Sequence, residues 1–118
     1  MKDTMRAWAE IDIGALLHNF NYARALTGKQ VMCVIKGDAH GHGAVRLGQV
    51  LQEHGADAFA VACLQEAIAL RQGGIVKPIL VLGWTPAEEA SAEEEISMDD
   101  TYIRSDNVAN FPTNQLVS

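Results

Sequence analysis

Three short apolar runs, each followed by a stretch with helical spacing, limit what this chain can fold into. They are residues 31–36 (Val31-Met32-Cys33-Val34-Ile35-Lys36), residues 58–63 (Ala58 to Cys63) and residues 78–82 (Pro78 to Leu82). Runs that are apolar at successive positions predict strands buried on both faces, as in a parallel sheet covered by helices. Between the first two, Ala44, Leu47 and Leu51 mark one face of a helix from Gly43 to Glu53. After the second, Leu64, Ala67, Ile68 and Arg71 fall near one side of another helix, which Gly73-Gly74 ends. Upstream, Asp12 is placed to cap a helix carrying Leu16, Phe20 and Ala23, and Gly28 ends it. Arg6 to Asp12 predicts a short leading strand, and Thr85-Pro86-Ala87-Glu88 predicts a further helix start with a capping box. Strand and helix in strict alternation make successive right-handed βα units, an α/β fold class. Open doubly wound sheets and (β/α)8 barrels share that signature, and three units do not separate them.

With 118 residues, 48% of them hydrophobic, the chain is sized for one core. It has no apolar run near the 18 or so residues a transmembrane helix needs, and its first residues lack the pattern of a secretory leader. We therefore expect a cytoplasmic protein without a membrane partner. Cys33 and Cys63 lie in apolar runs and read as buried free thiols. The net charge of −6 is unevenly spread. Residues 1–77 carry eight Lys/Arg against seven Asp/Glu, whereas residues 78–118 carry Arg104 against eight acidic residues. No basic patch points to nucleic acid. The acidic run reads as a solvated helix face. After Ile96 the βα pattern stops: no fourth buried strand is evident, and residues 97–118 read as a weakly ordered tail.

Chemistry concentrates where the first run ends. Alternation along residues 31–36 places Met32, Val34 and Lys36 on one face, and α/β folds place their sites at the carboxyl ends of strands. A lysine amine among apolar neighbours has its pKa lowered, which suits Schiff-base chemistry; one at a strand end can also simply reach solvent. The loop that follows, Gly37-Asp38-Ala39-His40-Gly41-His42-Gly43, lets the backbone bend sharply and approach a ligand. It matches neither a Walker loop nor a dinucleotide fingerprint. Asp38, His40 and His42 could contribute to a zinc site, but no further strong ligand follows at regular spacing.

The order strand, lysine, Gly-Asp-Ala-His-Gly-His-Gly, helix resembles the cofactor-lysine signature of the alanine racemases, fold type III pyridoxal-phosphate enzymes, which usually read Lys-Ala-Asn/Asp-Ala-Tyr-Gly-His-Gly. Arg6 to Asp12 is similar to that family's opening strand. Ala56 to Ala62 with Glu66-Ala67 is similar to its second βα unit, and Pro78 to Gly83 to its third strand. The resemblance covers about residues 5–90. It implies an incomplete (β/α)8 barrel of about three βα units plus a leading strand over residues 1–96, followed by a divergent tail over 97–118. It further implies pyridoxal 5'-phosphate as cofactor, Lys36 as the lysine that forms the aldimine and serves as one base, and His40 in place of the tyrosine whose hydroxyl binds the cofactor phosphate. His42 supports the loop, and Gly37 stands where alanine is usual. The implied reaction is racemisation of alanine, on a small amino-acid substrate, in a homodimer whose partner subunit supplies a tyrosine as opposite base. This chain lacks the family's later barrel strands, its arginine at the pyridine nitrogen and its C-terminal domain, so the isolated chain is expected to be inactive. Another fold type III enzyme, with decarboxylase activity or a broader racemase range, is a rival; Gly41-His42-Gly43 argues against the decarboxylases. A non-catalytic cofactor-binding or regulatory module, or a truncated gene product, is the rival from a different class.

Overall fold

A computed structural model describes residues 7–84 and 101–104 of the chain. The elements run α1 (Ile13–Thr27), β1 (Met32–Val34), α2 (Lys36–His40), α3 (Ala44–Glu53), β2 (Ala58–Val61), α4 (Leu64–Gln72), β3 (Ile79–Trp84) and β4 (Thr101–Arg104). The helix boundaries follow local signals. The Asp12 carboxylate accepts the Ala15 N–H at 3.0 Å to start α1, and Gly28, in the left-handed region, donates its N–H to Arg24 O to end it.

The four strands form one parallel sheet in the order β1-β2-β3-β4. Each strand lies beside its sequence predecessor and the order never reverses. A doubly wound sheet reverses at its switch point, whereas a barrel keeps adding strands on the same side. The two faces of the sheet point the same way. Ile35, Phe59, Val61, Ile79 and Val81 are buried in one cluster with Phe20, Leu47, Leu51, Leu64, Leu70 and Ile75, so the helices cover this face. On the other face, the register aligns Val34 with Ala60 and Leu80. Here Val34 is 49% exposed and Leu82, further along β3, is 39% exposed. One helix-covered face and one open apolar face are what a segment of a (β/α)8 wall presents, the open face being the interior side of the barrel.

Polar side chains tie the units together. Asp57 accepts the Val31 N–H at 2.7 Å, which joins the start of β1 to the start of β2, and its carboxylate lies 3.8 Å from the Arg24 guanidinium. Arg24 also stacks over the Phe20 ring, 5.6 Å from its centroid. Arg71 donates to the carbonyls of Ile75 and Lys77 at 2.9 and 2.8 Å, and to the Thr101 hydroxyl at 3.2 and 3.0 Å.

Three expectations are corrected. Among the described residues the leading strand is not formed: residues 7–12 run without strand pairing and Trp8 is 51% exposed. An alternating pattern supplies one apolar face but not the neighbouring edge that makes a strand. The first and second strands are shorter than their apolar runs, ending at Val34 and Val61. Beyond them the chain turns out of the sheet, so Cys63 is exposed rather than buried. A fourth strand does exist, at Thr101–Arg104, within the stretch read as a weakly ordered tail. Its β-branched and aromatic residues favour a strand, but the run is too short and too flanked by charge to stand out. The capping box at Thr85 to Glu88 lies outside the described residues. Among the described residues, no helix is long and apolar enough to cross a membrane.

The two thiols now sit in unlike surroundings. Burial, reinforced by the nearby Asp57 carboxylate and partly opposed by Arg24, pushes the Cys33 thiol up from an ordinary 9.0 to about 11. Iodoacetamide at pH 8 should therefore modify Cys63 at least about tenfold faster than Cys33, because the thiolate is the nucleophile. Because the unfolded chain releases this proton near 9.0 and the fold retains it to about 11, the thiol leaves stability unchanged below pH 9 and lowers it as pH rises from 9 towards 11. Peptide mapping after alkylation at pH 8 checks the first statement and urea unfolding between pH 8 and 11 the second; equal alkylation rates at pH 8 would contradict the shielding of the half-buried Cys33.

Candidate active site

Lys36 follows Ile35, the last buried residue of the first apolar run. The Ile35 N–H still bonds to Ala60 O at 2.9 Å, as part of the ladder between β1 and β2. Lys36 itself is exposed and opens α2. This element is a turn of the opposite hand to an ordinary helix. Gly37 (φ 62, ψ 41), Asp38 (55, 41) and Ala39 (55, 47) are all left-handed, and His40 shares their φ of 55. Such a turn costs about 1–2 kcal/mol for each residue other than glycine, so its surroundings must over-determine it.

They do. Within the turn, the Ala39 N–H bonds to Ile35 O at 2.9 Å and the Gly41 N–H to Gly37 O at 3.1 Å. The Asp38 carboxylate accepts the N–H of Ala44, the first residue of α3, at 2.9 Å. His42 donates from Nδ1 to Ala39 O at 2.9 Å, which fixes the tautomer and leaves Nε2 without the proton when the ring is neutral. Ala39 is buried and plugs the turn into the core. Glu66, on the first turn of α4, accepts the N–H groups of Gly37 at 2.8 Å and Asp38 at 3.4 Å through one oxygen, and the N–H of Ala62 at 2.7 Å through the other. Ala62 in turn accepts the N–H of Gly83 at 3.0 Å. Gly83 sits in an irregularity of β3 between Val81 and Trp84, and a Cβ there would stand 2.5 Å from Ala62 O, so only glycine permits this approach. A row of hydrogen bonds thus runs along the carboxyl ends of β3, β2 and β1 and finishes on the lysine loop.

His40 is exposed and lines an apolar groove of about 400 Å³ between α1 and β1. The groove runs along the outer edge of β1 in the described sheet, so Met32 and Val34 of the open face and Cys33 and Ile35 of the helix-covered face both line it. Lys36, Asp38, His40 and His42 thus follow one another at the carboxyl end of β1, with Asp38 and His42 bonded to backbone and Lys36 and His40 exposed. Glu66 entered the sequence reading only within the second βα unit and not as a site residue: it sits where a capping-box glutamate would, but Cys63 occupies the position where serine or threonine normally completes that signal. Among the described residues, no three His, Cys, Asp or Glu side chains gather closely enough to hold a metal ion.

The family model for the N-terminal domain of alanine racemase matches residues 11–106, from the approach to α1 through β4. The chain belongs to the alanine racemase family. An alanine racemase of Xylella fastidiosa strain 9a5c is 54% identical over 84 residues, 70% of this chain and 23% of the relative. Among solved structures, alanine racemase of Clostridium difficile 630 superimposes with a TM-score of 0.68 at 45% identity, covering 72% of this chain and 23% of that one. A histidine racemase from Leuconostoc mesenteroides subsp. sake matches with a TM-score of 0.57 at 36% identity, over 61% of this chain and 20% of its own. The chain spans about a quarter of the length of the alanine racemases it matches. The family likeness agrees with the barrel reading of the sheet, in which strands follow in order and one face stays open.

Proposed function

We propose that this chain carries the cofactor-lysine portion of an alanine racemase site, with Lys36 as the residue that holds pyridoxal phosphate and works as one base. The observation that carries the reading is the position of Lys36: exposed, at the carboxyl end of β1, next to the face that a barrel turns inward. The donor set suits an anionic aromatic aldehyde. Lys36 offers a primary amine, His40 an imidazole N–H that can donate to phosphate, and Met32 and Val34 an apolar surface for a ring. Bound pyridoxal phosphate supplies an electron sink for the pair left on an amino acid's Cα when its proton departs. Lys36 would take that proton at Nζ, or return one, on a single face of the carbon. His42 and Asp38 hold the loop rather than react, each being engaged with backbone.

Racemisation needs a second acid–base group on the opposite face. In this reading that group is the tyrosine expected from the partner subunit of the homodimer, in a cytoplasmic setting. The 118 residues alone should therefore not interconvert L- and D-alanine when pyridoxal phosphate is added. Chiral chromatography of the product checks this, and measurable D-alanine from the purified chain would show that both bases are already present. Curated alanine racemases match at 48–54% identity and the histidine racemase at 36%, which supports alanine as the substrate.

A further inference from the structure

We infer that Glu66 is the positioning residue for Lys36, a latch supplied by the second βα unit that holds the lysine loop of the first. The consequence for cofactor capture rests on the reading of Lys36 above; the latch itself rests on the hydrogen bonds. The Asp38 and His42 contacts tie the loop to itself and to the helix that directly follows it. Glu66 arrives from α4, nearly thirty residues further along the chain, and grips the two N–H groups immediately after Lys36. Those N–H groups open a left-handed turn and have no carbonyl of the turn to bond with, so the carboxylate completes them.

The chemistry demands a carboxylate of this length. Both oxygens accept, one from β2's exit at Ala62 and one from the lysine loop. A glutamine in the same place offers one acceptor and one NH₂ group; with its oxygen kept on the nearer Ala62 N–H, the NH₂ group would meet the Gly37 N–H head-on and lose that grip. An aspartate, shorter by one methylene, can keep the near contact with Ala62 but not the reach to Gly37. The second grip is thus specific to glutamate, and it determines where the backbone aims Nζ of Lys36.

The test uses the 118-residue chain and two readouts. The first, without cofactor, is amide hydrogen exchange. In Glu66→Gln and Glu66→Asp the Gly37 amide should exchange about tenfold faster, the scale of one lost charge-assisted hydrogen bond, while the Leu51 amide in α3 stays as protected as before. Glu66→Asp should in addition leave Ala62 protected. The second is borohydride trapping of added pyridoxal phosphate, with labelling at Lys29 and Lys77 as an internal reference. Trapping at Lys36 should fall several-fold relative to those lysines in both variants, a ratio that a general loss of stability would not change selectively. Unchanged Gly37 exchange would overturn the latch. Faster exchange with an unchanged Lys36 ratio would overturn its role in presenting the lysine. Loss of the fold in both variants would also overturn it, because a positioning role leaves the core intact. If the unaltered chain traps no more at Lys36 than at Lys29 and Lys77, the cofactor reading fails, and the exchange data still decide the latch.

Discussion

Arg71→Ala should lower the unfolding free energy by about 3 kcal/mol, the expected cost when a charged donor leaves several partners unpaired at once. Among the groups that the guanidinium of Arg71 serves are Ile75 O and Lys77 O in the loop that leads into β3, and the Thr101 hydroxyl at the start of β4. Removing it leaves the loop carbonyls without their donor and takes away the side-chain tether on the outermost described strand. Lysine should recover only a small part of this, since a single ammonium cannot reproduce the planar fork that spans carbonyl and hydroxyl. Urea denaturation checks the magnitude. The slope of the transition should fall as well, because a chain whose β4 is already detached exposes less new surface on unfolding. A variant as stable as the parent, with an unchanged slope, would mean that β4 does not depend on Arg71.

The same residue shows what could and could not be read from the amino-acid sequence. Arg71 was legible as part of a helix with Leu64 and Ala67, because helical spacing is a local property. Its partner Thr101 was not, because nothing within a few residues of either position announces a contact thirty residues apart. β4 was missed for that reason: a strand of four residues at the edge of the described sheet is made by its pairing with β3 rather than by its own composition. The leading strand failed in the opposite direction. Its pattern was present, but among the described residues no strand edge pairs with residues 7–12. The first three strands, by contrast, were carried by apolar runs strong enough to be seen, and only their ends moved.

At the site, Lys36 and its glycine-rich loop were visible at once, since residue types and order carried the family resemblance. The hand of the turn was not. Gly37 could be expected to adopt a positive φ, but Asp38, Ala39 and His40 do so as well, and no local preference predicts three such residues in succession. That conformation is imposed from outside, by the Asp38–Ala44 contact, by the burial of Ala39 and by Glu66 reaching over from α4. Tertiary constraint decided the geometry that sequence order left open. It also separated the roles of the loop's polar residues, with His42 bonded to its own backbone and His40 left exposed beside the groove.

The second large effect concerns Lys36 itself. The chain has four lysines, Lys2, Lys29, Lys36 and Lys77. A primary amine in water captures pyridoxal phosphate weakly and reversibly, so any lysine will give some background. A lysine beside an apolar face, with an imidazole donor close in sequence and a loop that fixes its direction, should be favoured by proximity and orientation. Lys36→Ala removes one exposed side chain outside the packed cluster and should leave stability within about 0.5 kcal/mol of the parent. Loss of capture in that variant would therefore not reflect a loss of fold. The decisive measurement is peptide mapping after borohydride reduction of the chain with one equivalent of pyridoxal phosphate. The expected result is a pyridoxyl group concentrated on the peptide containing Lys36 and reduced to background in Lys36→Ala. Label spread evenly over the four lysines, with total incorporation unchanged by Lys36→Ala beyond the loss of one site in four, would contradict the assignment of Lys36 as the cofactor lysine.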